Sequence, residues 1–223
     1  MRNPEPIPER ISAARRPWDA RLANRLVVPL IDTWVSPNHL TTLRLGVGLA
    51  AAAAFIPGSY GWSNLAALLL ILSNFLDHTD GELARMSGKT SRIGHLYDLA
   101  ADAAVTVLLF IAIGVGIAAK PGIDLLLPPA ILGLVAGTAV ALVFYLRMRI
   151  EAVLGKDATR QASLGGFETE DVLYLLPLAT LCNALVPLLL AASICAPLFA
   201  IWVVIDYQRV MRRDRCMATG VAP

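Results

Sequence analysis

Cysteine, histidine and charge are all scarce in this chain. Its three cysteines, Cys182, Cys195 and Cys216, have no metal-ligand spacing, and two of them fall in apolar runs. They read as packing residues rather than as a zinc site or a redox pair. Charged residues make up 16% of the 223 positions against 57% hydrophobic, with a mean hydropathy of +0.63. That balance excludes an ordinary soluble domain. A cleavable leader is not expected either, because the first 26 residues are polar and arginine-rich rather than apolar. No internal repeat or low-complexity segment stands out.

What the chain has in quantity is apolar sequence. Long runs recur at roughly Leu40–Ile56, Leu65–Leu76, Leu99–Ala119, Leu125–Leu146, Val172–Leu190 and Ala191–Ile205. Crossing the hydrocarbon core takes about 20 helical residues, so each run is a candidate span. The Leu65–Leu76 run is short and needs the polar stretch Asp77–Arg85 to reach the interface. The turn between the last two runs falls at Asn183, Pro187 or Ala191. The expected fold is therefore all-α, an integral membrane bundle of six transmembrane helices over residues 36–208. Residues 1–35 form a cytoplasmic segment in front of it and 209–223 a basic tail. Trp18, Leu22 and Leu26 recur at helical spacing, with Arg15, Arg16, Arg21 and Arg25 around them. Residues 8–33 read as an amphipathic interfacial helix, the alternative being a disordered basic leader.

The net charge of +2 says little, but its distribution says much. Apart from Arg44 and Lys120, every Lys and Arg falls before the first span, in the second or fourth connection, or in the tail. This asymmetry predicts both termini, and the second connection, on the cytoplasmic side of a cell (inner) membrane. Membrane lipids are the expected surroundings, nucleic acid is not an expected partner, and a homodimer is left open.

Against this background four aspartates crowd one stretch: Asn74-Phe-Leu-Asp77-His-Thr-Asp80-Gly81-Glu-Leu-Ala84-Arg85, a short polar loop, then Gly94-His-Leu-Tyr-Asp98-Leu-Ala-Ala-Asp102. Ionised carboxylates near lipid are expensive unless paired, metal-bound or functional. Spacings of three and four put Asp77 with Asp80, and Asp98 with Asp102, on shared helix faces. If the two helices are antiparallel neighbours, all four acids converge and repel unless cations neutralise them. Oxygen donors without a suitable Cys or His pair select two divalent cations, Mg²⁺ or Mn²⁺, with Ca²⁺ a further candidate. Two such ions serve phosphoryl transfer. His78 points off the acid face and reads as a headgroup-region residue. Gly81, Ala84 and Gly94 leave room for a ligand, although Gly94 serves equally for close helix packing. Arg85 is a natural partner for a phosphate or for the carboxylates.

The run Asp77-x₂-Asp80-Gly81-x₂-Ala84-Arg85-x₈-Gly94-x₃-Asp98-x₃-Asp102 resembles the signature of the CDP-alcohol phosphotransferase family at all eight fixed positions. The resemblance implies transfer of a phosphoalcohol from a CDP-linked donor to an acceptor hydroxyl, with release of CMP and two divalent metals. It implies Asp77, Asp80, Asp98 and Asp102 as metal ligands and Asp102 also as the base. Gly81, Ala84 and Arg85 would line the CDP site. Ser36-Pro37-Asn38-His39-Leu40-Thr41 resembles the family's Thr-Pro-Asn-x-x-Thr and adds Asn38 and Thr41, with Ser36 in place of the first Thr.

Size and topology favour a CDP-linked lipid donor, CDP-diacylglycerol, with a small hydroxyl acceptor. The alternative is a CDP-amino-alcohol acting on a lipid hydroxyl. A cation-coupled transporter is the rival class, but the acids gather near one membrane face and no repeat symmetry is evident. In relatives that take inositol phosphate the start of the fifth helix carries basic residues. Here Glu168 and Asp171 stand there, and they read either as dipole-complementing acids or as contacts to an amino acid, amino alcohol or polyol acceptor. Arg149 and Lys156 are the nearby sources of positive charge.

Overall fold

The computed structural model describes residues 27–30, 33–88, 91–123, 125–154 and 175–219. Of the amphipathic segment expected over 8–33, only 27–30 and 33 are described, and Val28–Leu30 there form one 3-10 turn. Lys156, Glu168 and Asp171 lie outside the described residues.

Six α-helices carry the fold among the described residues, which contain no strand. They are α1 Pro37–Phe55, α2 Tyr60–Ser87, α3 Arg92–Ala118, α4 Pro129–Leu154, α5 Leu175–Leu181 and α6 Leu185–Thr219. Proline sets two of the starts. Pro37 opens α1, where its fixed φ suits the first turn and its missing N–H leaves no gap. Pro129 opens α4, so this helix begins four residues later than the apolar run starting at Leu125 suggests; the Pro128 carbonyl accepts from Ile131 N–H at 2.9 Å. The acids do not interrupt α2, which continues through Asp77 and Asp80 and ends at Gly88 in the left-handed region.

Asn183, at φ 52°, forms the turn between α5 and α6, settling which of the three candidate positions is used. Asn adopts that conformation more readily than most residues. Beyond it α6 runs unbroken into the basic tail as far as Thr219.

α1 packs against both α2 and α3, α3 against α4, and α4 against α6, while α5 lies beside α2. The main core gathers Phe55, Leu70, Leu109, Ile113, Ile117 and Leu189. Large apolar side chains also face outward, among them Leu68, Leu108, Leu134, Ile194 and Leu198. In water such a surface would be a liability, whereas in a bilayer it is the solvated face.

Among the described residues, three helical segments are long and apolar enough to cross a membrane: Ile93–Ala118, Pro129–Leu154 and Leu185–Asp214. Six spans were expected. The apolar part of α2 is shortened by its acidic end, α1 is only 19 residues long and contains Arg44, and the expected Val172–Leu190 span is divided at Asn183 into the 7-residue α5 and the first turns of α6.

Close backbone approach holds the α1–α2 turn to α3. Gly58 has φ +67°, and a Cβ added there would collide with the Gly116 carbonyl oxygen of α3. Gly58→Ala should therefore destabilise the chain by about 2 kcal/mol or more, combining left-handed strain with overpacking. Gly46→Ala, on an α1 face with nothing within 4 Å of the new Cβ, should be neutral or slightly stabilising. Thermal unfolding of both variants in detergent checks the contrast.

Candidate active site

The acids are brought together where the start of α1 meets the end of α2 and the start of α3. Ser36 precedes α1, and the His39 ring nitrogen Nδ1 accepts from the Ser36 N–H at 3.1 Å, fixing the helix entry. From this start α1 sends Thr41 and Arg44 inward. Both are buried among polar partners.

Arg44 sits at the centre. Its guanidinium donates to Asp77 Oδ1 at 2.6 Å and to Asp98 Oδ1 at 2.8 Å, and also to Asp102 Oδ1. A further bond reaches the Asp98 backbone carbonyl at 3.2 Å. One α1 residue thus bridges α2 and α3. Its side chain is 5% exposed, whereas those of Asp77, Asp98 and Asp102 are 38%, 34% and 51% exposed. The acids consequently line the open side of the site and the guanidinium forms its floor.

Asp80 is held apart. It is 5% exposed, and its Oδ2 accepts from Thr41 Oγ1 at 2.8 Å. Of the four expected metal ligands, Asp77, Asp98 and Asp102 each offer an oxygen within 4.8 Å of the others, and Asp80 is not in that group. Three carboxylates against one guanidinium leave negative charge unmatched, and hard oxygen donors at this separation suit a divalent cation. The donor set therefore fits a metal centre.

The two glycines of the run differ. A Cβ on Gly81 would meet nothing within 4 Å, so open space adjoins Asp80. A Cβ on Gly94 would lie 2.8 Å from Asn38 Oδ1 and 3.0 Å from Ser91 Oγ. Close packing of α3 on the α1 start accounts for Gly94. The same contact brings Asn38 to the acid end of the bundle, and Thr42 Oγ1 lies 3.0 Å from the Tyr97 hydroxyl on the same seam. Arg85, one turn past Gly81, pairs with buried Glu82 and is itself exposed. Ala84 is half-buried beside it, and Arg149 is exposed on the last turns of α4.

Sequence reading missed Arg44 as a site residue and treated it only as the basic residue inside the first span. The signal was available, because a cation within an apolar helix needs a partner and the nearby acids supply one. The bond from Thr41 to Asp80 had no comparable signal.

A bundle of apolar helices with a carboxylate cluster at one end defines a multi-pass membrane protein with a polar site, and comparison with known proteins sharpens that class. Residues 34–208 match the model of the CDP-alcohol phosphatidyltransferase family, and the chain belongs to that family. It is 36% identical over 107 residues to cholinephosphotransferase 1 of Danio rerio, covering 43% of this chain and 28% of that protein. It is 34% identical over 152 residues to the bifunctional IPC transferase and DIPP synthase of Rubrobacter xylanophilus, covering 64% and 30%. The chain thus spans less than a third of the length of these two relatives. The fold also matches the phosphatidylinositol phosphate synthase of Mycobacterium tuberculosis. With CDP-DAG bound to that enzyme, the TM-score is 0.58 at 22% identity, covering 87% of this chain and 94% of the other. A second structure of that enzyme, in complex with manganese and citrate, gives 0.57 at 19%, covering 86% and 88%.

Thr41→Val should cost about 1–3 kcal/mol, because it leaves the buried Asp80 carboxylate without its hydroxyl donor. Thr41→Ser keeps the donor and should retain most of that stability. Thermal unfolding in detergent distinguishes the two.

Proposed function

We propose that this chain transfers a phosphatidyl or related phosphoalcohol group from a CDP-linked donor to an acceptor hydroxyl, releasing CMP. The observation that carries this reading is the convergence of Asp77, Asp98 and Asp102 oxygens within 4.8 Å beside the α1 start, in a chain of this family. Asp77, Asp98 and Asp102 would hold divalent cations, Mg²⁺ or Mn²⁺, with Asp80 completing the set from its place against Thr41. When bound, such cations neutralise charge developing on the transferred phosphate.

The chain's own residues supply the rest. The open space at Gly81, together with Asn38, Thr41, Ala84 and Arg85, would take the CDP moiety, with Arg85 turning from Glu82 to a phosphate. The acceptor hydroxyl oxygen attacks the β-phosphorus. A new O–P bond forms, the bond to the CMP oxygen breaks, and CMP leaves with that electron pair. Asp102, the most exposed of the three acids, takes the hydroxyl proton. Alignment contributes as much as charge, because phosphoryl transfer needs the entering and leaving oxygens in line.

For the donor we favour CDP-diacylglycerol. Support comes from the fold shared with the mycobacterial synthase, which was solved with CDP-DAG bound. The similarity to cholinephosphotransferase 1 supports a second reading, a CDP-amino-alcohol donor with a lipid hydroxyl as acceptor. On the first reading the acceptor is an amino acid, amino alcohol or polyol contacted by Glu168 and Asp171, with Arg149 and Lys156 nearby. The acid end of the bundle would face the cytoplasm, where a soluble nucleotide and a bilayer-bound lipid both have access.

Asp77→Asn, Asp98→Asn and Asp102→Asn should each reduce CMP release in mixed micelles to below about 1% of wild type, since each keeps shape and removes charge. More than a few per cent residual turnover in Asp77→Asn or Asp98→Asn would contradict the metal-centre reading. Chelation with EDTA should abolish activity, and Mg²⁺ or Mn²⁺ should restore it.

Donor class is decided by thermal shift with metal present. CDP-diacylglycerol should raise the midpoint more than CDP-choline does, by mass action on the folded state. A larger shift with CDP-choline favours the second reading. With radiolabelled acceptors, strong preference for inositol phosphate or glycerol 3-phosphate, unaffected by Glu168→Ala and Asp171→Ala, would refute the acceptor assignment.

A further inference from the structure

Arg44 poses a problem that the proposed reaction leaves unanswered. Its guanidinium bonds to Oδ1 of Asp77, of Asp98 and of Asp102, the same three carboxylates that would hold a divalent cation. A cation there and a guanidinium in contact with all three acids would repel each other at short range. The contact is also built in. Arg44 is 5% exposed, and its backbone carbonyl accepts from Ser73 Oγ of α2 at 3.1 Å. One turn on, a Cβ at Gly48 would lie 2.7 Å from Val105 of α3. Backbone contacts on both sides therefore hold the root of the side chain, leaving its tip as the part free to adjust. The Arg44 Nε is buried without a hydrogen-bond partner, so the guanidinium is fastened by its two terminal nitrogens alone.

We propose that Arg44 is an internal counter-cation of the Asp77–Asp98–Asp102 triad, holding the acids together before metal binds and competing with the metal for them. Arg44 is thus a positioning residue that sets the metal affinity of the site. The inference rests on the reading of the triad as a metal centre. Without the guanidinium, three carboxylates from two helices repel one another, and the metal-free bundle loosens at this end. With it, an entering cation must displace part of the ion-pair network. Such a site binds its metal reversibly and more weakly than the bare acids would, while staying folded when metal is absent. A purely structural ion pair would support the fold without tuning metal affinity.

The test uses the full chain in detergent, with Mn²⁺ binding followed by electron paramagnetic resonance and stability by thermal unfolding. Wild type should bind Mn²⁺ and be stabilised by it. Arg44→Gln, neutral but still polar, should unfold several degrees lower without metal, gain more from Mn²⁺ than wild type, and reach half-saturation at about tenfold lower Mn²⁺. Arg44→Lys keeps one positive charge but lacks the fork that bridges three acids, so it should fall between the two. Should Arg44→Gln yield no folded protein even when extracted in Mn²⁺, Arg44→Lys decides alone. A lower half-saturation point than wild type supports the inference, and an equal or higher one overturns it. Where both variants fold, equal or weaker Mn²⁺ binding than wild type in Arg44→Gln also overturns it. A wild type with no Mn²⁺ response fails the metal-centre reading itself, whereas a responsive wild type with unshifted variants fails the counter-cation role alone.

Discussion

Three carboxylates on two helices that both pack against α1 repel, and the guanidinium that α1 inserts between them turns that repulsion into a junction. Asp77 belongs to α2, Asp98 and Asp102 to α3, and Arg44 reaches all three. Removing the guanidinium would leave the three carboxylates to repel one another without their shared cation, a larger cost than losing one exposed ion pair. The register of α1 against α2 and α3 is therefore set by polar contacts at this end. Farther along the same helices it is set by apolar packing of Phe55, Leu70, Leu109 and Ile113.

Small residues make that junction possible. At Gly48 and Gly94 an added side chain would strike Val105 and Asn38, so α1 lies closer to α3 than larger residues would permit. At the opposite end Gly58 and Gly116 meet backbone to backbone. Between helices surrounded by lipid, where no hydrophobic gain distinguishes protein from solvent, such close approach and polar bonding are the main sources of specificity. The far end has its own polar link, from Lys120 Nζ to Asn183 Oδ1 at 3.3 Å, but among the described residues it gathers no cluster of acids. Among the described residues the acid cluster thus lies at one end of the bundle.

Helical periodicity made much of this legible in the sequence. Spacings of three and four placed the acids on facing helix surfaces, and the structure joins three of them within reach of one another. Proline at position 37 and asparagine at 183 marked ends that the backbone uses. Less legible were contacts between residues far apart in the chain. Arg44 precedes its partners by 33 to 58 positions, and no local pattern couples them. Hydropathy was legible only in part. It assigned spans to α1 and α2 by apolar runs, yet the polar ends of those helices serve the site and shorten what remains for the membrane.

Asp80 shows why the site is more than a cage of acids. One turn after Asp77 it leaves the triad to accept from Thr41, on the helix start that also holds Asn38 against Gly94. A bond between a buried carboxylate and a neutral hydroxyl is weaker than an ion pair, so Asp80 is the acid least committed to Arg44. Movement of the α1 start would be felt at Asp80 through Thr41, and at Asp77, Asp98 and Asp102 through Arg44. In the proposed reaction that start approaches the nucleotide. Nucleotide and metal would then both act on one turn of helix, and two ligands that share a positioning element favour each other's binding when both select the same placement of it.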